Sequence, residues 1–120
     1  MYDKFEQWLD EALAADLPEN AVALNFNLYE DGDNWWSVEL VATDRFDADD
    51  PDWACDEVFD TRENPYEWEE DSPWLDILEK ACGWVREYMA NGYHAEKIST
   101  YTAVGCGFVD GDIELLYIKE

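Results

Sequence analysis

The sequence is poor in positive charge. Its 120 residues hold seven Lys and Arg and one histidine, against 31 Asp and Glu. Contacts with nucleic-acid phosphates need clustered Lys and Arg, and the basic residues here are scattered along the chain. The scarcity therefore argues against direct binding of DNA or RNA.

Cysteine is also sparse. Cys55, Cys82 and Cys106 are an odd number, without the short spacings of metal or redox motifs. We expect free thiols in a reducing cytosol rather than a disulfide framework, with each cysteine serving as a small core residue.

Long apolar runs are missing. No stretch approaches the roughly 20 apolar residues that a membrane helix needs. The first ten residues, MYDKFEQWLD, lack the basic and apolar regions of a signal peptide. We therefore expect a cytoplasmic protein that does not interact with a membrane.

Motifs for catalysis and cofactors are lacking as well. His94 has no nucleophile motif near it, and the chain carries neither a phosphate-binding loop nor a glycine-rich dinucleotide fingerprint. The oxygen-rich stretch 47–52 lacks the glycine and distal glutamate of a calcium loop. We predict a protein that is not an enzyme, with no cofactor and no dedicated metal site.

What the chain does have is apolar and aromatic residues, at 48% and 16% of the sequence. Acidic disordered tails are poor in aromatics, so this composition indicates a folded protein. The length is usual for one domain with a real core. We predict a single α+β domain over residues 1–120.

Two segments have the periodicity of amphipathic helices. The first covers residues 2–15 and ends before Pro18. The second is predicted to begin with Ser72 as its capping residue and Pro73 in the first helical position, and to end at Asn91-Gly92. Its predicted buried face starts with Trp74.

Two hairpins are predicted from alternating segments. At 31–33, a three-residue loop would pair Leu28 with Trp36 and place both apolar rows on one face, which a two-residue loop would not. At Asp110-Gly111, a two-residue turn would pair Cys106 with Leu115.

A third strand is predicted around residues 53–60, with Cys55 and Phe59 facing inward. The order is then α-β-β-(β)-α-β-β. It predicts a two-layer sandwich, an antiparallel sheet of four to five strands with two helices on one face. The other face of the sheet is expected to be solvated, with an aromatic side chain covering Gly105 and Gly107.

The charge is concentrated in the middle of the chain. Residues 44–76 hold 14 acidic and two basic residues, a local net charge of −12, which is half of the total of −24. Clustered carboxylates steer and bind cationic partners, while Tyr and Trp supply anchors. The alternative is a solvated acidic loop whose aromatic side chains pack back into the core. We predict a partner-binding surface made of Asp47, Asp49, Asp50, Asp52, Asp56, Glu57, Asp60, Glu63, Tyr66, Glu67, Trp68, Glu69, Glu70 and Asp71.

In general character, the α+β outline, the net charge of −24 and the acidic, aromatic segment 47–71 resemble bacterial immunity proteins, small cytoplasmic inhibitors of toxins. The resemblance carries no family motif and no site residue. It implies an acidic inhibitor that occludes the active site of a basic toxin or nuclease, as a monomer or weak dimer. A DNA mimic acting on a nucleic-acid-binding factor, and a housekeeping interaction domain without catalysis, remain as alternatives.

Overall fold

The computed structural model describes residues 2–119. Within them the fold is α+β, as predicted, and it contains three α-helices, six strands and one short 3-10 helix. The helices are α1 (Tyr2–Ala14), α2 (Trp74–Asn91) and α3 (Ala95–Ser99), and the 3-10 helix is Pro51–Cys55. The strands are β1 (Ala23–Gly32), β2 (Trp35–Thr43), β3 (Glu57–Asp60), β4 (Tyr66–Glu69), β5 (Ala103–Phe108) and β6 (Glu114–Ile118).

The strands form one mixed sheet, so the prediction of a purely antiparallel sheet is wrong. The order along the sheet is β3-β2-β1-β5-β6, and β4 also pairs with β2. β1 is antiparallel to β2 but parallel to β5, with Ala23 opposite Ala103. The third strand predicted around 53–60 is realised as β3, after the 3-10 helix, and β4 follows it.

The length of α2 explains the parallel pair. β4 is antiparallel to β2 and ends beside Trp35, at the end of the sheet where β1 also ends. The 18 residues of α2 rise about 27 Å at 1.5 Å per residue, which returns the chain to the opposite end. β5 therefore starts beside the start of β1 and runs in the same direction.

The first hairpin has the predicted faces but a different register. Leu28 lies opposite Val38 rather than Trp36. The turn is made by Asp33 and Asn34, which both have positive φ, and Gly32 before them has φ 90°. Two central residues with positive φ make the tight turn that suits a hairpin. This turn would move the pairing by three residues from the predicted register, the shift at Asp31 takes back one, and the net difference of two residues preserves the faces.

The second hairpin is only partly as predicted. Val104 lies opposite Tyr117, but Cys106 lies opposite Glu114 rather than Leu115. One extra residue of β6, Leu116, lies in the shift between these two registers. Such a bulge is invisible to a prediction that extends one uniform register from the turn.

The helices lie close to their predicted bounds. The amide of Ile77 donates to the carbonyl of Pro73, which makes Pro73 the residue that precedes the first turn of α2. The hydroxyl of Ser72 bonds to Glu70 instead of capping the helix, so the predicted capping role is wrong. Gly92 ends the helix, as expected.

One apolar core joins both long helices to the sheet. It combines Phe5, Trp8, Leu9 and Leu13 of α1 and Ile77, Trp84 and Tyr88 of α2 with the apolar rows of the strands. The ring of Phe5 lies 5.2 Å from that of Trp84. Each large side chain buried in this way contributes about 2–3 kcal/mol of hydrophobic stabilisation.

The second face of the sheet is not the solvated surface that we expected. Asn25, Asn27, Ser37, Glu39 and Thr43 on this face are all buried. The 3-10 helix covers one end of it, where Trp53 packs on Ala23 and Ala103 with Phe46 and Ile113 around it. A Cβ added to Gly105 would lie 3.4 Å from Trp53, so an aromatic side chain does cover that glycine.

The cysteines are free thiols, as expected, but one is not in the core. Cys82 and Cys106 are buried, whereas Cys55 is exposed at the end of the 3-10 helix. The predicted inward position of Cys55 is wrong because Trp53, two residues earlier, is the side chain that this segment buries. Phe59 is half-buried and packs against the main core.

Candidate acidic binding surface

The acidic segment lies along one edge of the sheet. β3 pairs with the end of β2, where Val41 faces Asp60, and β4 pairs with its start, where Trp36 faces Trp68. Both strands therefore follow the outer side of β2, whose nine residues extend about 30 Å at 3.3 Å each. Residues 47–55, which include the 3-10 helix, precede these strands and pack over the adjoining end of the second face. We call the whole segment, residues 47–71, the acidic edge.

The carboxylates of the acidic edge fall into two groups. Five of the twelve predicted carboxylates have cationic neighbours: Asp50 and Asp56 pair with Arg45, Glu57 and Asp60 with Arg62, and Glu70 with Lys80. The other seven are exposed and form no ion pair within residues 2–119. These seven, the unpaired carboxylates, are Asp47, Asp49, Asp52, Glu63, Glu67, Glu69 and Asp71.

Glu70 is the carboxylate of this edge that is most engaged with its own chain. One oxygen lies 2.8 Å from Lys80 Nζ and accepts from the indole of Trp68, and the other accepts from Ser72. Partial burial pushes its pKa upward, but these hydrogen bonds outweigh burial and leave the pKa below its ordinary value. Glu70 is therefore a structural residue that closes the link between β4 and α2.

The two aromatic residues predicted as anchors contribute to the core instead. Trp68 is buried, at 5% exposure, and its ring lies 5.0 Å from that of Trp84. Tyr66 is half-buried, stacks on Trp68 at 5.6 Å, and meets Phe5 edge-on. Their inward contacts correct the anchor prediction, because strand alternation turns Glu67 and Glu69 outward and these two rings inward.

A buried carboxylate on the second face of the sheet was not predicted. Glu39 is 1% exposed. One of its oxygens accepts from Asn27, from the Tyr29 hydroxyl at 2.6 Å and from Arg62, and the other accepts from Arg62 Nε at 3.1 Å. The alternating pattern of β2 marked Glu39 as outward-facing, but it could not reveal that Arg62 folds over it.

The hydrogen bonds of Glu39 stabilise the fold. Four hydrogen bonds, two of them from the Arg62 guanidinium, replace the hydration that Glu39 loses on burial. Arg62 also pairs with Glu57 and Asp60 of β3, so the cluster ties the acidic edge to the centre of the sheet.

A groove opens at the end of the sheet where β1 and β5 finish. It lies between the first turn of α2 and the β5–β6 turn, with a volume of about 710 Å³. Trp74, which periodicity placed on the buried face of α2, is 59% exposed there, and its neighbour Leu75 is 50% exposed. The ring of Trp74 meets that of Phe108 edge-on, with their centroids 6.1 Å apart.

Other features give little support to a catalytic or metal-binding role. His94 is half-buried at the start of α3 and contacts the ring of Tyr93. Across residues 2–119, no group of three or more His, Cys, Asp or Glu side chains is placed to hold a metal ion. None of the helices described combines the length and apolarity needed to cross a bilayer.

Comparisons of the chain with family models, with curated proteins and with solved structures find no match. The geometry and charge of this chain are therefore what indicates its function.

Proposed function

We propose that this chain is an acidic inhibitor that acts by binding and not by catalysis. Its partner is a basic toxin or nuclease, whose active site it occludes in the cytoplasm in the manner of bacterial immunity proteins. The unpaired carboxylates, seven exposed side chains within the 25-residue segment 47–71, are the observation that carries the proposal.

The chemistry of an active site that binds nucleic acid fits this edge. Such sites are lined by Lys and Arg that neutralise phosphates, and carboxylates can occupy the same positions as charged acceptors. Glu67 and Glu69 lie on one side of β4, about 6.6 Å apart at two residues of strand rise. Because β4 is hydrogen-bonded to β2, these carboxylates are presented on a rigid element.

The cost of leaving these carboxylates unpaired also supports a binding role. Like charges crowded on one edge destabilise the folded chain, and a cationic partner would relieve that repulsion. Electrostatic attraction should speed encounter at low salt, and screening beyond about 8 Å at physiological ionic strength should slow it. The association rate with the partner is therefore expected to fall with added salt.

Capture from a lysate of the source cells at 50 and 500 mM NaCl tests the proposal. The wild-type chain is compared with an edge variant, Asp49→Asn, Glu67→Gln and Glu69→Gln. A control variant, Asp16→Asn, Glu19→Gln and Glu96→Gln, removes the same number of exposed charges from the loop after α1 and from α3. Each captured protein is then assayed for nuclease or other toxic activity with and without the purified chain.

The expected result is a basic protein that the wild type and the control variant both retain at low salt, that the edge variant loses, and whose activity the chain inhibits. Equal capture by all three variants would remove the acidic edge from the mechanism. A captured partner whose activity is unchanged by the chain would reject inhibition and favour a plain interaction domain.

A further inference from the structure

The groove at the end of the sheet has an apolar floor. Leu28, Leu78 and Phe108 line its base, and Trp74, Leu75 and Val109 extend from it into solvent. Five of the seven Trp residues are at most 8% exposed, so the 59% exposure of Trp74 departs from how this chain places tryptophan. Half-exposed Trp and Leu side chains around a concave surface are typical of interaction sites.

The rim of the groove is acidic. Glu30, Asp110, Asp112 and Glu114 line it, and no Lys or Arg among the described residues does. None of these four carboxylates forms an ion pair within residues 2–119. An apolar floor with four uncompensated carboxylates is complementary to an apolar side chain flanked by Lys and Arg.

A second copy of this chain is a poor occupant. Each copy carries a net charge of −24, and its own exposed apolar groups at this end are surrounded by the same carboxylates. Bringing two such rims together places like charges opposite each other, which opposes association. The charge of the rim therefore selects a cationic partner.

We propose that this groove is a docking site for a cationic protein segment that inserts one or two large apolar side chains between Trp74 and Val109. The inference rests on the proposed function in taking the partner to be basic, and it adds an apolar anchor that the acidic edge lacks. Trp74 covers the inserted side chain, Leu78 and Phe108 form the base, and Glu30, Asp112 and Glu114 hold the flanking cations.

Two synthetic peptides test this assignment directly, Lys-Lys-Leu-Trp-Leu-Lys-Lys and its counterpart Lys-Lys-Ser-Gly-Ser-Lys-Lys. Titration into the isotopically labelled full chain is followed by NMR. The apolar peptide should shift the amide signals of Leu28, Phe108 and Val109 and the indole signal of Trp74. It should bind at least about tenfold more tightly than the counterpart. A tenfold difference in affinity corresponds to about 1.4 kcal/mol, and burial of a large apolar side chain contributes more than that.

Variants locate the binding within the groove. Trp74→Ala should weaken binding of the apolar peptide about tenfold, as loss of an anchoring Trp does, and Leu75→Ser provides a second, smaller truncation. Glu30→Gln should reduce both the affinity and its salt dependence. Trp35→Ala is the matched control, because Trp35 is 43% exposed but does not line the groove.

Three results would overturn the assignment. They are equal binding of the two peptides, signal changes confined to the acidic edge, and self-association in sedimentation that disappears in Trp74→Ala. The edge variant separates this inference from the proposed function. If the edge variant loses the captured partner but still binds the apolar peptide, the groove binds cationic apolar segments independently of the acidic edge. If Trp74→Ala still captures the partner and inhibits it, the acidic edge acts without the groove.

Discussion

At the scale of single residues, the two arginines beside the acidic edge hold different kinds of carboxylate. Arg62 covers Glu39, whose side chain is 2% exposed. Arg45 pairs with Asp50 and Asp56, whose side chains are 44% and 45% exposed. Ion pairs in water contribute little, whereas a buried carboxylate that loses its cation is costly. The two arginines should therefore differ in their effect on stability.

Arg62→Ala should lower the free energy of unfolding by about 2 kcal/mol, below the 3–5 kcal/mol of a fully buried pair because the arginine itself is 53% exposed. Arg45→Ala should cost less than about 1 kcal/mol. Both changes remove one positive charge, so urea unfolding compares them directly. Equal costs would mean that Glu39 relaxes into solvent when its cation is removed.

Tyr29 should make the free energy of unfolding depend on pH in the alkaline range. Burial, followed by the hydrogen bond to Glu39, raises its pKa to about 12, against about 10 in an unfolded chain. A raised pKa of this kind stabilises the fold fully below about pH 10, and the contribution is lost as the pH rises towards 12. Ionised Tyr29 would also lose its donated proton and repel Glu39.

Tyr29→Phe should therefore be less stable than the wild type by about 1 kcal/mol at pH 8, the value of a hydrogen bond, and the difference should shrink between pH 10 and 12. Tyr93→Phe, at a residue that is 84% exposed, is the control and should follow the wild type throughout. Urea unfolding at five pH values measures both. A constant difference between Tyr29→Phe and wild type would exclude the titration.

At the scale of elements, β5 and α2 each contain a glycine, with opposite consequences. A Cβ on Gly105 of β5 would lie 2.7 Å from both Asn25 Oδ1 and Ile113 Cγ2, whereas a Cβ on Gly83 of α2 would meet nothing within 4 Å. Asn25 is fully buried and bonded to Asn27, so it cannot easily move. The strand needs its glycine and the helix does not.

Gly105→Ala should therefore destabilise the chain by about 2 kcal/mol through overpacking. Gly83→Ala should stabilise it by about 0.5–1 kcal/mol, because alanine loses less backbone freedom in a helix. Thermal or urea unfolding of the two variants decides the matter. Two changes of the same sign would contradict the packing described for the second face of the sheet.

Helices and strand registers differed in how well local sequence pattern predicted them. α1 and α2 were predictable because their periodicity is local, and the end of α2 at Gly92 is set by a local signal. The α+β class followed from these helices and the alternating strands. The hairpin registers were harder, since the first depends on a turn at Asp33-Asn34 and an irregular residue at Asp31, and the second depends on an irregular residue at Leu116.

Contacts between distant segments were beyond a reading of local pattern. The parallel pairing of β1 with β5 depends on where α2 ends, and the burial of Glu39 depends on Arg62, 23 residues away. The acidic edge was found from composition, but periodicity could not decide which aromatics face inward. The acidic context assigned Trp68 to a partner and helical periodicity assigned Trp74 to the core, whereas Trp68 is buried and Trp74 is exposed.

At the scale of the whole molecule, repulsion between carboxylates outweighs the attraction within the intramolecular ion pairs. Within residues 2–119, six ion pairs are formed, and they use three cations, Arg45, Arg62 and Lys80. Lys97 is directed to the carbonyls of Leu13 and Ala15. A net charge of −24 is therefore balanced mainly by solvent ions, whose screening length falls from about 30 Å at 0.01 M salt to about 8 Å at 0.15 M.

Added NaCl should consequently raise the melting temperature, because screening weakens a net repulsion that unfolding relieves. Each kcal/mol gained corresponds to about 4 °C for a domain of this size. The edge variant should melt higher than the control variant at 10 mM NaCl, although both lose three charges, since its three sites lie among other carboxylates. Its gain from salt should be smaller for the same reason. A melting temperature that falls with salt would show that the six ion pairs dominate, and would remove the argument that a cationic partner relieves repulsion along the acidic edge.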